Sequence, residues 1–288
     1  MTGSLFRAAA LCVVLLAPGS TSAQGAQRLT WTGSVQAASG DYTFGQRTTS
    51  VYFATGLTLD RPRFRASLSV PFVAQSEGWV QVVGGGVIPS GGMHRGASSS
   101  DPWTSGMMGT SGSSMMGTPQ SGSSHAAMGL GDPIARLDFD LLGSRGSQAN
   151  LRAILAAKAP LAGLASGFGT GEWDFGAGLS TAGVLGGTFL FADAVYWALG
   201  DPAALTLRDI VSYGLGAGRS LANGRFGVLG SLLGTTSVAA GIPASLQAGG
   251  SVNYRTGTGR DILVSVLTGL SRSAPDVSLG VGWRVPVR

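Results

Sequence analysis

Asp276-Val277-Ser278-Leu279-Gly280-Val281-Gly282-Trp283-Arg284-Val285-Pro286-Val287 alternates strictly between two kinds of residue. Val277, Leu279, Val281, Trp283, Val285 and Val287 share one face of an extended chain. Asp276, Ser278, Gly280, Gly282, Arg284 and Pro286 share the other. Successive strand residues point to opposite faces, so the pattern is that of a β-strand with one greasy side. The other side carries glycine, serine and charge. That suits the inner wall of a barrel whose apolar face meets lipid, rather than one half of a soluble core.

The same rhythm runs back along the chain. Leu29, Trp31, Val35 and Ala37 alternate with Thr30, Thr32, Ser34 and Gln36. Val51, Phe53, Thr55, Leu57 and Leu59 form the next apolar face. After the turn Asp60-Arg61-Pro62, Phe64, Ala66, Leu68, Val70 and Phe72 oppose Arg63, Arg65, Ser67 and Ser69. Further on, Ala135, Leu137, Phe139 and Leu141 oppose Asp132, Arg136, Asp138 and Asp140. Leu151, Ala153, Leu155 and Ala157 oppose Arg152 and Lys158; Trp173, Phe175, Ala177 and Leu179 oppose Glu172 and Asp174. Segments 189–199, 207–217, 225–235, 246–254 and 262–270 complete a set of about twelve, an even number as single-chain bacterial barrels have. Asn223-Gly224 is a strong hairpin signal. Short connectors (60–62, 143–147, 185–187, 220–224, 256–260) then fall on the periplasmic side and longer ones (39–47, 77–129, 161–170, 200–206, 237–243) outside. The expected fold is all-β: a transmembrane, antiparallel, up-and-down barrel. Two segments fit less simply. Asp193 falls on the face counted as apolar, where an unpaired charge is costly in lipid, so a β-bulge is expected there. The ninth strand is apolar on both faces, with Phe226, Val228 and Leu232 opposing Leu229 and Leu233.

Export is expected from the first residues. Arg7, the apolar run 8–17 and the small residues Ser20-Thr21-Ser22-Ala23 have the order of a secretory leader cleaved after Ala23. The run is shorter than the roughly 20 residues a spanning helix needs. Residues 24–288 are then the barrel. Cys12 leaves with the leader, so the exported chain holds no thiol. Charged residues make up 11% of the chain and mean hydropathy is +0.27, yet after residue 23 no long uncharged apolar stretch occurs. In lipid, backbone groups must be satisfied internally, which leaves a closed barrel as the alternative to helices. The basic balance (pI about 10.0) comes from scattered arginines and one lysine, Lys158, and no nucleic-acid partner is expected. The expected partners are outer-membrane lipid and lipopolysaccharide, barrel-assembly machinery, and a small-molecule solute.

Gly129-Leu130-Gly131-Asp132-Pro133, Lys158-Ala159-Pro160 and Gly169-Thr170-Gly171-Glu172-Trp173-Asp174 form a spaced set. Here the chain resembles the outer-membrane barrels of the MetA-pathway of phenol degradation family. Those open a mid-chain strand with Gly-Asp, end the next with Lys-x-Pro, and enter a third through Gly-Thr-Gly and an inward acid. The resemblance is firm over residues 129–199 and elsewhere lies in strand rhythm. It implies a channel or transporter for small, aromatic or hydrophobic compounds, and no enzyme.

The residues expected to line the lumen are Arg63, Arg65, Asp132, Arg136, Asp138, Asp140, Arg152, Lys158, Glu172, Asp174, Arg208, Arg255 and Arg284. Such a set can act as a charged constriction or as salt bridges filling a narrow barrel. Acids of the fourth and sixth strands are expected to pair with bases of the third and fifth. The Gly/Ser-rich loop 77–129 holds Met93, His94, Met107, Met108, Met115, Met116, His125 and Met128. Thioether and imidazole suit Cu(I), so the loop is a candidate copper site, and no other cofactor is expected. The repeat of Met-Met-Gly-Thr at 107–110 and 115–118 equally fits an unconstrained low-complexity loop. A barrel that does not transport, with or without copper on this loop, is the alternative reading.

Overall fold

The computed structural model describes residues 28–42, 47–76, 80–83, 86–89, 127–143, 148–162, 168–201, 206–256 and 259–287. Residues 1–27, where a leader is expected, and most of loop 77–129 lie outside the described residues. The regular elements among those described are all strands: β1 (Arg28–Gly40), β2 (Thr48–Asp60), β3 (Phe64–Gln75), β4 (Val80–Val83), β5 (Gly86–Pro89), β6 (Ala127–Leu130), β7 (Ile134–Leu142), β8 (Ala149–Lys158), β9 (Asp174–Leu185), β10 (Thr188–Ala198), β11 (Ile210–Leu221), β12 (Phe226–Thr235), β13 (Ser245–Arg255), β14 (Asp261–Gly269) and β15 (Val277–Pro286).

Outside β4–β6, each strand pairs antiparallel with the next strand of the wall, and β15 returns to pair with β1, so the sheet closes on itself. β6 and β7 lie end to end along β3, pairing with Phe72–Gln75 and Phe64–Ser69, and count as one broken strand. The wall is therefore a closed barrel of twelve strands. β4 and β5 pair only with each other, so the segment expected to be a bare loop begins with a hairpin. Its last residues, including Met128, belong to the wall.

The connectors sort as their lengths predict. At one end lie the tight turns. Gly186 and Gly187 take φ of 57° and 76°, and Ala222, Asn223 and Gly224 are all left-handed. At the other end lie the long connections. We call these the short-turn and long-loop ends.

The outer face is apolar in a band. Leu57, Leu68, Leu155, Leu179, Leu215, Val266 and Leu279 are each about half exposed. Aromatic rings rim the band. At the short-turn end, Trp31 meets Trp283 (5.8 Å between centroids), Phe64 meets Phe139 (6.3 Å) and Phe226 meets Tyr254 (5.0 Å). At the long-loop end, Trp173 stacks on Phe175 at 5.9 Å. Trp283 lies over Gly33 on β1, where a Cβ would come within 2.4 Å of its ring. An apolar belt between two aromatic girdles is the outer surface of a barrel bathed in hydrocarbon.

Asp193 does not face outward, and no bulge is present. β10 pairs without a break with both β9 and β11. The apolar-rich face of this strand, with Phe191, Val195 and Trp197, is its inner one. Glycines on the neighbouring strands make room. A Cβ at Gly216 would stand 2.4 Å from the Phe191 ring, and one at Gly176 would stand 3.0 Å from Trp197. β12 is oriented in the same way. Leu229 and Leu233 turn inward against Gly218 and Gly214. Gly216→Ala is expected to cost about 1–3 kcal/mol by overpacking. Gly230→Ala should be close to neutral, since its Cβ would have no neighbour nearer than 3.9 Å. Urea unfolding of the lipid-refolded variants compares the two.

Candidate functional site

The lumen has two unlike sides. β2, β3, β7 and β8 supply the charged side, near the short-turn end. The Arg65 Nε donates to Asp60 Oδ1 at 2.7 Å, and Arg152 Nε to Asp140 Oδ1 at 2.7 Å. Arg136 donates through Nε (2.9 Å) and Nη2 (2.8 Å) to Asp138 Oδ1 on its own strand. Across the lumen, Arg255 donates to Asp261 at 2.9 Å. The expected pairing of fourth-strand acids with third-strand bases therefore fails for Arg65. The acid that takes it, Asp60, closes β2 and was expected only as part of a turn. Strand parity from Arg65 was the signal that could have found it, because the two are Cα partners in the β2–β3 ladder.

β10, β12 and β14 supply an apolar side: Phe189, Phe191, Val195, Trp197, Leu229, Leu233, Leu263 and Leu267 lie on the inward register. The sequence reading missed this track by assigning every greasy face to lipid. Asp193 sits within it, and together with Arg136 lines a cavity of about 360 Å³.

At the long-loop end, Lys158 is fully buried between two carboxylates. Its Nζ lies 3.1 Å from Asp132 Oδ2 and 2.9 Å from Asp174 Oδ2, and donates to Thr170 Oγ1 at 2.8 Å. Each carboxylate also accepts from a loop backbone. The Ala162 N–H reaches Asp132 Oδ1 at 2.7 Å, and the Gly200 N–H reaches Asp174 Oδ1 at 3.1 Å. All three charged side chains are at most 1% exposed. The break between β6 and β7 turns Asp132 inward to meet them, so the three quoted motifs converge on one cluster.

Connections at this end fold back into the barrel. Val238, Ala239 and Ile242 are buried against Ile154, Ala156, Val195, Trp197 and Ile210. Ser237 Oγ, bonded to the carbonyls of Ala239 and Ile242 at 2.9 and 2.6 Å, holds the loop in shape. Phe168 and Ala162 pack on Val73. Tyr42 is buried, and burial pushes its phenol up to about 12, so it lines the cavity as a neutral group. Asp209, just before β11, accepts from the Tyr196 phenol and the Leu199 N–H, which hold its carboxyl below the usual range.

Below this cluster lie four cavities that share walls. The one at Asp193 has Arg136 in common with a second of about 240 Å³. That one shares Arg284 with a third of about 420 Å³, and the third shares Arg255 and Leu263 with a fourth of about 540 Å³. The series runs to the short-turn mouth.

Of the residues expected in the lumen, Arg65, Asp132, Arg136, Asp138, Asp140, Arg152, Lys158, Asp174, Arg255 and Arg284 project inward. Arg63, Glu172 and Arg208 lie exposed in connections flanking β3, β9 and β11, where alternation no longer fixes direction. Met93, His94, Met107, Met108, Met115, Met116 and His125 lie outside the described residues. Met128 is 67% exposed.

No family model and no curated protein matches the sequence. Among solved structures, the chain is similar to an outer membrane channel from Pseudomonas putida, with a TM-score of 0.59 and 12% identity, covering 94% of this chain and 100% of that one. It also aligns with the P. putida toluene transporter TodX (TM-score 0.42, 11% identity, 92% and 91% covered) and with the β domain of the Bordetella autotransporter BrkA (0.41, 14%, 90% and 98%). The first of these likenesses is one of fold: a closed outer-membrane-type barrel spanning nearly the whole of both chains.

Proposed function

We propose that the chain is an outer-membrane channel for small aromatic or hydrophobic compounds, similar in kind to the phenol-degradation MetA-pathway barrels. The observation that carries this reading is the series of lumen cavities sharing lining residues, with an apolar track along one wall and ion pairs along the other. Twelve strands enclose more room than the eight whose interior side chains just fill. The track lets a greasy solute slide without crossing a purely charged constriction. The ion pairs keep the opposite wall wet. Convergence of Asp132, Lys158 and Asp174 supports the family likeness, because the motif residues work as a unit. The N-terminus and tight turns are periplasmic in this reading, and the long loops face outward.

A barrel with a shut lumen is the second reading, favoured by the apolar cluster under loop 237–243. Purified protein in a planar bilayer separates the two. A channel gives discrete conductance steps, and a deletion strain takes up aromatic compounds more slowly. A silent bilayer and unchanged uptake would leave the shut barrel standing.

A further inference from the structure

We propose that the short-turn half of the lumen holds a station for a small organic carboxylate with an apolar body, centred on Arg284. This deepens the channel reading and rests on it for the physiological cargo, although binding itself needs no open pore.

The cavity of about 240 Å³ is walled by four arginines, Arg65, Arg136, Arg152 and Arg284, and the acid on its lining is Asp138. Three of the four are matched: Arg65 with Asp60, Arg136 with Asp138 and Arg152 with Asp140, at 2.7–2.8 Å. Arg284 is different. It projects inward from β15, is exposed to the lumen, and has no acid partner among the described residues. Asp261, its Cα partner across the β14–β15 ladder, is taken by Arg255 at 2.9 Å.

An unmatched guanidinium held among matched ones favours an anion. A guanidinium carries five N–H donors in a fixed fork. The ion pairs use one or two of these donors on each paired arginine, so donors remain for a second acceptor. The paired acids also tether their arginines, and Arg284 supplies the net charge. A carboxylate matches the fork bidentately and gains charge-assisted bonds.

The body of the ligand follows from the neighbouring space. Arg284 also borders the cavity of about 420 Å³, where Leu263 and Ala54 face inward. Leu263 is 41% exposed there, an apolar surface open to the lumen. An inorganic anion would use the arginines and leave this surface wet. A neutral hydrophobe would use the leucine and leave the arginine unanswered. A carboxylate on a small apolar body satisfies both.

Benzoate and benzyl alcohol test the idea on the detergent-solubilised full chain, with titrations read by saturation-transfer NMR. Benzoate is expected to bind more tightly than benzyl alcohol. Arg284→Gln should weaken benzoate about tenfold or more, the scale of a lost charged hydrogen bond, and change benzyl alcohol less than about twofold. Arg284→Lys, which keeps charge and loses the fork, should fall between. Leu263→Asn should weaken both probes. A heat-modifiable gel shift checks that each variant is a closed barrel; should the glutamine variant misassemble, the lysine and Leu263 variants carry the test. Equal affinities for the two probes, no benzoate binding, or indifference to Arg284 would overturn the proposal. So would sulfate displacing benzoate at equal concentration, which would mark an inorganic-anion site. Conductance recorded on the same preparation keeps the two readings apart: Arg284-dependent benzoate binding in a silent barrel would remove the channel and leave the station.

Discussion

Lys158→Ala is expected to destabilise the barrel by about 3–5 kcal/mol, the cost of stripping the partner from buried charge. Two carboxylates face one ammonium, and none of the three is more than 1% exposed. Without the ammonium, Asp132 and Asp174 remain close together, away from water, with like charge. They also hold Ala162 and Gly200 in place, so both adjoining loops should loosen. Urea unfolding of the lipid-refolded protein measures the loss. The combined change Lys158→Met, Asp132→Asn and Asp174→Asn should recover most of it, because removing a whole buried ionic group is often nearly neutral. Arg255→Ala gives the scale for an ordinary pair. That arginine is 60% exposed, and its loss should stay within about 1 kcal/mol. A Lys158→Ala cost near that of Arg255→Ala would mean that the cluster is not what holds the long-loop end together.

Trp197→Ala is the second large effect, expected at about 3–5 kcal/mol for removal of a buried aromatic. The ring is 4% exposed. Its Nε1 donates to Ser212 Oγ at 3.1 Å, and it seats Val238, Ala239 and Ile242 together with Ile154 and Ile210. The truncation also bears on transport. With the seat gone, loop 237–243 loses its main apolar contact, and single-channel conductance should rise severalfold. Trp197→Phe keeps the bulk and loses the hydrogen bond, so it should cost about 1 kcal/mol and leave conductance nearly unchanged. Equal conductance in the alanine variant and the native chain would show that the loop does not restrict the path.

Strand number, pairing order and the contrast between connector lengths were legible from alternation because a period of two is a local signal. The buried cluster was half legible. Asp132, Lys158 and Asp174 stood out by spacing, but their meeting depends on the break between β6 and β7, which alternation does not encode. The lumen's apolar side was not legible. In β10 and β12 both faces carry large apolar residues, so hydropathy alone cannot choose between them. The choice is made by glycines on other strands, such as Gly214, Gly216 and Gly218, that leave space for inward rings and leucines. Asp193 was a clue to the inversion, since a charge on a lipid-facing position is the more costly assumption. The direction of Arg63, Glu172 and Arg208 was not legible, because parity has no meaning once the chain leaves the strand.

Closing the cylinder requires its first and last strands to find each other across nearly the whole length of the polypeptide, and the fit at that seam has a keyhole. Trp283 sits opposite Gly33, the one site on β1's outward row with no side chain. A slip by two residues either way would bring the indole against Trp31 or Val35 instead of open backbone. The bulkiest residue of the terminal strand thus fills the one gap that the observed registration leaves for it, and either neighbouring registration would set it against a side chain.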